Sequence, residues 1–99
     1  MKMLNNQQIS AMFRELADLL VQKKESWFKV RAYRKVADEI DSLDVPLSEL
    51  TAQNRLREIP GVGDVIEKKI KEMLETGRLQ ALERVKAEIA EGKVGHPGK

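Results

Sequence analysis

Residues 56–83 read LREIPGVGDVIEKKIKEMLETGRLQALE. Within them Pro60-Gly61-Val62-Gly63 sets two glycines around one small apolar residue, directly ahead of an amphipathic segment. Glycine takes positive φ without penalty and lets another backbone approach closely. The first amide N–H groups of a helix have no internal partner and sit at the positive end of its dipole. Such an end accepts a phosphate without reading a base. The stretch therefore predicts a tight hairpin, with Val62 packed inward to pin it and Gly61, Val62 and Gly63 facing a phosphate backbone. A helix follows from about Asp64 to Glu75, with Ile66, Ile70, Met73 and Leu74 on its apolar side. An ordinary turn shares the tetrapeptide. The context is what favours the clamp: a short helix before it, a long helix after it, and another helix beyond Thr76-Gly77, where glycine stops the first.

Working outward, the segment from Arg78 to about Ala90 places Leu79, Leu82, Val85 and Ile89 on one face. Upstream, a short helix from about Ala52 to Glu58 carries Leu56 and Ile59, and Leu47 and Leu50 mark a further short helix or turn after Pro46. Asn6 to Lys24 shows the helical stripe Ile9, Met12, Phe13, Leu16, Leu19 and Leu20, with Asn5 or Asn6 as N-cap. The next helix starts near Ser26 and runs to about Leu43 through Val30, Tyr33, Val36, Ala37 and Ile40. It ends before Asp44-Val45-Pro46, because the residue preceding proline leaves the helical region. No useful length alternates with period two. The predicted fold is all-α: a compact bundle of four main helices plus a short one, spanning residues 1–90, with a flexible tail at 91–99.

The chain of 99 residues is sized for one domain, and 41% hydrophobic residues suffice for one core. Cysteine is absent, which excludes disulfides, zinc thiolates and cysteine nucleophiles. The single histidine, His96, forms no multi-histidine metal site and is read as inert. No apolar run approaches the roughly 18 residues of a membrane span, and the N-terminus lacks a signal-peptide core. These features predict a soluble cytoplasmic monomer, nucleoid-associated in a bacterium or archaeon.

Net charge is only +2, yet the charges are segregated. Residues 22–35 (QKKESWFKVRAYRK) hold six basic side chains and one acidic, whereas residues 36–50 hold five acidic and none basic. A basic block interleaved with Trp27, Phe28 and Tyr33 is a candidate nucleic-acid surface, and a solvated helix face is its alternative. Lys29, Arg31, Arg34 and Lys35 are the candidate phosphate contacts. Trp27 and Phe28 lie off the apolar stripe; either could stack on a splayed base, and one of them is expected to cover the junction with the first helix. At about 100° per residue from Ile66, Lys69 falls near 300°, at the rim of the apolar stripe, while Lys68 and Lys71 face away. Lys69 is thus the lysine placed for partial desolvation, which lowers an amine's pKa and frees it as a nucleophile. The alternative is a lysine that snorkels over the core.

LREIPGVGDVIEKKIKEMLETGRLQALE resembles the helix-hairpin-helix segment of family X DNA polymerases, and WFKVRAYRKVADEI resembles the second helix of the same lyase-type N-terminal domain. The two occur in the family's order, and the resemblance covers about residues 5–90. It implies binding to gapped or nicked DNA through backbone phosphates in a DNA repair setting, with a polymerase domain or partner. It also implies a 5′-deoxyribose-phosphate lyase, with Lys69 as the Schiff-base lysine, Tyr33 as the pocket hydroxyl, and Lys29 at a phosphate; Lys68, on the outward side of the helix that carries Lys69, is a further candidate DNA contact. A monovalent cation, sodium or potassium, would sit on the carbonyls of Arg57, Ile59 and Val62; no other cofactor is required. The chain departs from the polymerase beta pattern where Phe28 replaces histidine and where Val65 and Ala81 replace basic residues. Asp64 is acidic where basic or neutral residues are common. These departures bear on catalysis more than on fold or DNA binding. Three functions follow: a DNA-binding module, an active lyase, or a protein-interaction domain suggested by the acidic stretch from Asp38 to Asp44. Nucleotidyl transfer needs metal-binding carboxylates on a separate fold, for which no length remains.

Overall fold

A computed structural model describes residues 4–92. It contains α1 (Asn6–Gln22), α2 (Trp27–Asp41), α3 (Leu47–Ala52), a single 3₁₀ turn (Leu56–Glu58), α4 (Asp64–Thr76) and α5 (Gln80–Ala90). The described residues are all-α, with four main helices and one short one. His96 and positions 93–99 of the expected tail lie outside the described residues.

Local chemistry sets the helix ends. The Asn5 side chain accepts from the Gln8 N–H and the Gln8 side chain accepts from the Asn5 N–H, both at 2.8 Å, a reciprocal cap that starts α1. At its other end the Glu25 N–H donates to the Leu20 carbonyl at 2.9 Å and the Lys24 N–H to Val21 at 3.0 Å, with Lys24 at φ 60°. This left-handed closure satisfies carbonyls the helix leaves open. Ser26 caps α2 through its hydroxyl, which accepts from the Phe28 N–H at 3.2 Å. Gly77, at φ 75°, closes α4. The Glu72 carboxylate then accepts the Gln80 N–H at 2.7 Å and so starts α5 from the neighbouring helix.

The expected helix over about 52–58 does not form. The same left-handed closure recurs at the end of α3: the Arg55 N–H bonds the Leu50 carbonyl at 2.8 Å and the Asn54 N–H bonds Thr51 at 3.0 Å, with Asn54 at φ 58°. Asparagine tolerates this conformation better than most residues, and it turns the chain before a new helix can start. Leu56 and Ile59 still reach the core, buried through a 3₁₀ turn instead.

One apolar cluster joins all the elements. Phe13 of α1 and Tyr33 of α2 stack at its centre, ring centroids 5.8 Å apart and planes 17° apart. Polar links fix the helices around it. Arg14 reaches from α1 to Asp38 at 2.6 Å and Asp41 at 2.7 Å, and buried Ser10 donates to Asp41 at 2.5 Å. The Ser10 and Arg14 hydrogen bonds hold the Asp41 carboxyl below its ordinary range. The acidic stretch is thus partly spent on holding α2 against α1. Lys86 of α5 pairs with Glu15 at 2.9 Å, and Lys23 pairs with Glu88. The Asn6 side chain clasps the backbone of Val45 and Leu47, at 2.9 and 2.7 Å, and sets α3 beside the start of α1. No helix among the described residues is long and apolar enough to cross a membrane.

Candidate nucleic-acid interface

Between the 3₁₀ turn and α4 the chain reverses in four residues. The Val62 N–H donates to the Ile59 carbonyl at 3.1 Å, Pro60 occupies the second position, and Gly61 stands third at φ 90°. This is the arrangement of a type II turn, whose third position favours glycine. Ile59 and Val62 are buried on either side and pin the turn to the core. Gly63 differs from the expectation drawn from glycine's freedom. It is extended, at φ −109° and ψ −162°, a conformation open to any residue, and a Cβ built there meets nothing within 4 Å. Its absent side chain leaves room on the open side of the α4 N-terminus, where no side chain caps the first amides. Asp64 and Glu67 stand in that first turn and would oppose an anion. Arg57 reaches across the hairpin to both, with guanidinium nitrogens 2.9 Å from Asp64 and 3.0 Å from Glu67, and Lys68 lies 3.8 Å from Asp64.

A second group of cations is drawn from three helices: Lys29 of α2 and Arg84 of α5 both act electrostatically on Lys69 of α4. Lys69 is half-buried. Burial pushes its ammonium down from the ordinary lysine range, Glu72 opposes that shift, and Arg84 and Lys29 add to it. Arg84 also acts on Tyr33, whose hydroxyl burial pushes up. The Tyr33 ring is 9% exposed and packed on Phe13, while no buried side-chain polar atom among the described residues lacks a partner, so the hydroxyl, unbonded to protein, touches solvent. Lys29 and Arg84 thus lie within electrostatic reach of Lys69, and none of the three makes a carboxylate ion pair among the described residues. Periodicity did not mark Arg84: at about 100° per residue it points away from the apolar stripe of α5. Only the tertiary placement of α5 reveals it.

The remaining sequence candidates are distributed differently. Arg34 pairs with Asp18 at 3.0 Å and Lys35 with Glu39 at 3.7 Å, whereas Arg31 is exposed and free of ion pairs among the described residues. Neither Trp27 nor Phe28 covers the α1–α2 junction: they are 61% and 78% exposed. Tyr33 and Val30 already seal that junction, leaving the first turn of α2 outside it. Val65, one turn before Lys69, is also exposed. A surface depression of about 670 Å³ lies over Ser10, Arg14 and Asp41 and shares no residue with the hairpin or the cationic group.

A family model described as "Helix-hairpin-helix domain" matches residues 4–79, which run from the start of the described chain through α4. No curated protein matches the chain.

Proposed function

The chain belongs to the helix-hairpin-helix domain family, whose members are in general sequence-nonspecific DNA-binding modules, and from that premise we propose that it grips DNA through backbone phosphates at two places. One phosphate sits on the open N-terminus of α4 beside Gly63. The next is held by Lys29, Lys69 and Arg84. The observation that carries this reading is the joint presence of an uncapped helix start with no side chain in front of it and a cationic group that makes no carboxylate ion pair among the described residues. Both recognise phosphate charge and neither reads a base edge. Gapped or nicked DNA of the repair type, as handled by family X polymerases, is the preferred form.

The hairpin's backbone oxygens at Arg57, Ile59 and Val62 are hard donors, and no group of three His, Cys, Asp or Glu side chains able to hold a metal occurs among the described residues. This donor chemistry fits an alkali cation and not a transition metal. Bound there, sodium or potassium would supply positive charge between the turn and a phosphate. The Ile59 carbonyl already accepts from Val62, and this fixes its direction.

The two glycines separate folding from binding. Gly61→Ala places a side chain at φ 90° and is expected to cost about 1–2 kcal/mol of stability. Gly63→Asp is sterically free and supplies a good N-cap, so stability should hold or rise by a few tenths of a kcal/mol. Its carboxylate stands where the phosphate goes, so DNA affinity should fall at least about tenfold. Thermal unfolding beside fluorescence anisotropy on labelled gapped DNA checks both. Unchanged affinity in folded Gly63→Asp removes the hairpin contact.

A second reading, a 5′-deoxyribose-phosphate lyase, is favoured by one observation: the lysine whose amine burial depresses lies within electrostatic reach of Lys29 and Arg84, and Arg84 also acts on Tyr33. The free Lys69 amine would add to the sugar aldehyde and lose water to give an imine; loss of a C2′ proton to solvent and cleavage of the C3′–O bond would then release the DNA 5′-phosphate, and water would hydrolyse the imine to free the lysine. Borohydride should trap an adduct on incised abasic DNA, and Lys69→Ala should lose it. Trapping should rise with pH and level off below the ordinary lysine range. DNA binding with no adduct would leave a binding module alone.

A further inference from the structure

The two helices after the hairpin begin alike. Neither α4 nor α5 is capped by the side chain of its own N-cap residue, Gly63 or Leu79. They differ in what meets the first amides. The start of α4 is open, whereas at the start of α5 the Gln80 N–H donates to the Glu72 carboxylate of α4 at 2.7 Å. The Thr76 hydroxyl steadies the short connection between them, donating to the Glu72 carbonyl at 2.8 Å and accepting the Arg78 N–H at 3.0 Å. Of these two helix starts, only that of α4 is left for an external anion.

Glu72 is also the one carboxylate that α4 places beside Lys69. The positions three and four residues from Lys69 are Val65, Ile66, Glu72 and Met73. The other two lysines of α4 each pair with a carboxylate one turn back, Lys68 with Asp64 at 3.8 Å and Lys71 with Glu67 at 3.6 Å. Lys69 makes no ion pair among the described residues, and its acidic neighbour on the helix is turned toward α5 instead. We propose that Glu72 is a positioning residue for Lys69: the first amide of α5 holds its carboxylate off the lysine and so leaves the lysine's charge to a phosphate. The inference rests on the DNA-binding reading and adds to it the tether that sets how much of the Lys69 charge DNA receives. Glu72 still acts on Lys69 across the intervening space, against burial and against Lys29 from α2 and Arg84 from α5. Released from Gln80, it would close that space with an ion pair of the kind Lys68 and Lys71 already make.

Gln80→Pro removes the tether and little else. Proline is favoured at the first position of a helix. Leu79 before it is extended, at φ −128° and ψ 108°, as a residue preceding proline should be. Glu72→Gln keeps an oxygen for the amide and removes the charge. Affinity of the full chain for labelled gapped DNA is measured by anisotropy across salt. The Lys69 side chain is titrated by heteronuclear NMR, its signal identified by its absence from Lys69→Gln. Gln80→Pro is expected to weaken binding about tenfold at about 50 mM salt and to make the log–log slope shallower by about one, the loss of one phosphate contact. Glu72→Gln placed in Gln80→Pro should restore the affinity, which a merely structural loss at the start of α5 would not allow. The Lys69 titration midpoint should rise in Gln80→Pro, where the carboxylate approaches, and fall in Glu72→Gln, where Lys29 and Arg84 act unopposed. Unchanged affinity in Gln80→Pro, or a loss that Glu72→Gln does not reverse, overturns the proposal and leaves the phosphate grip standing. If the unaltered protein binds no gapped DNA, the phosphate reading falls and the titration decides the tether alone: a Lys69 midpoint that rises in Gln80→Pro upholds it, and one that stays overturns it.

Discussion

Phe13→Ala is expected to lower the thermal unfolding midpoint by about 12 °C or more. Phe13 is fully buried, and its ring stacks on Tyr33 across the α1–α2 interface. Truncating a buried phenylalanine costs about 3–5 kcal/mol, the transfer of the ring plus the cavity it leaves. A domain of this size has a total stability of about 5–15 kcal/mol, so roughly a fifth or more of it rests on this side chain. Each kcal/mol moves the midpoint of a domain this small by about 4–8 °C. Circular dichroism melts check the shift. Val65→Ala, at an exposed position, serves as the control and should change stability by less than about 0.5 kcal/mol. A loss below about 1 kcal/mol in Phe13→Ala would mean that α1 and α2 do not pack through this pair.

The second large effect concerns binding. Replacing Lys29, Lys69 and Arg84 together by glutamine should weaken binding to gapped DNA by a factor on the order of 10³ at about 50 mM salt, and should make the log–log salt slope shallower by two to three. Stability should not fall, because the substitutions remove mutual repulsion between cations that have no carboxylate ion pair among the described residues. Replacing Arg34, Lys35 and Lys68 instead should have the smaller effect, since each is already engaged by Asp18, Glu39 or Asp64. Equal losses from the two triple variants would show that the cationic surface is diffuse, with no site around Lys69.

The main helices were legible because their apolar residues repeat at helical spacing and their caps are local. Asn5, Ser26 and Gly77 each act on residues within one turn. The missing helix before the hairpin shows where that legibility stops. Leu56 and Ile59 carry the apolar signal of a helix, yet Asn54 takes the left-handed conformation and redirects the chain, a choice decided by one residue's backbone. The hairpin was readable in outline, but the roles of its glycines were not alike. Gly61 needs its positive φ, while Gly63 is extended and matters for the space in front of it. Lys69 could be placed at a rim from its angle on α4 alone. Arg84 could not, because its electrostatic reach to Lys69 and Tyr33 depends on the tertiary placement of α5. The exposure of Trp27 and Phe28 was hidden for the same reason: what covers a helix end is a tertiary fact. Asp38 and Asp41 looked like a free acidic surface in sequence and turn out to hold Arg14.

The most direct test of a phosphate-backbone grip is the dependence of gapped-DNA affinity on salt, measured by anisotropy with two unrelated sequences. If about three to five phosphates are neutralised, the log–log slope should be about −3 to −5 and the same for both sequences. A slope near zero, or a slope and affinity that depend on the sequence chosen, would contradict it.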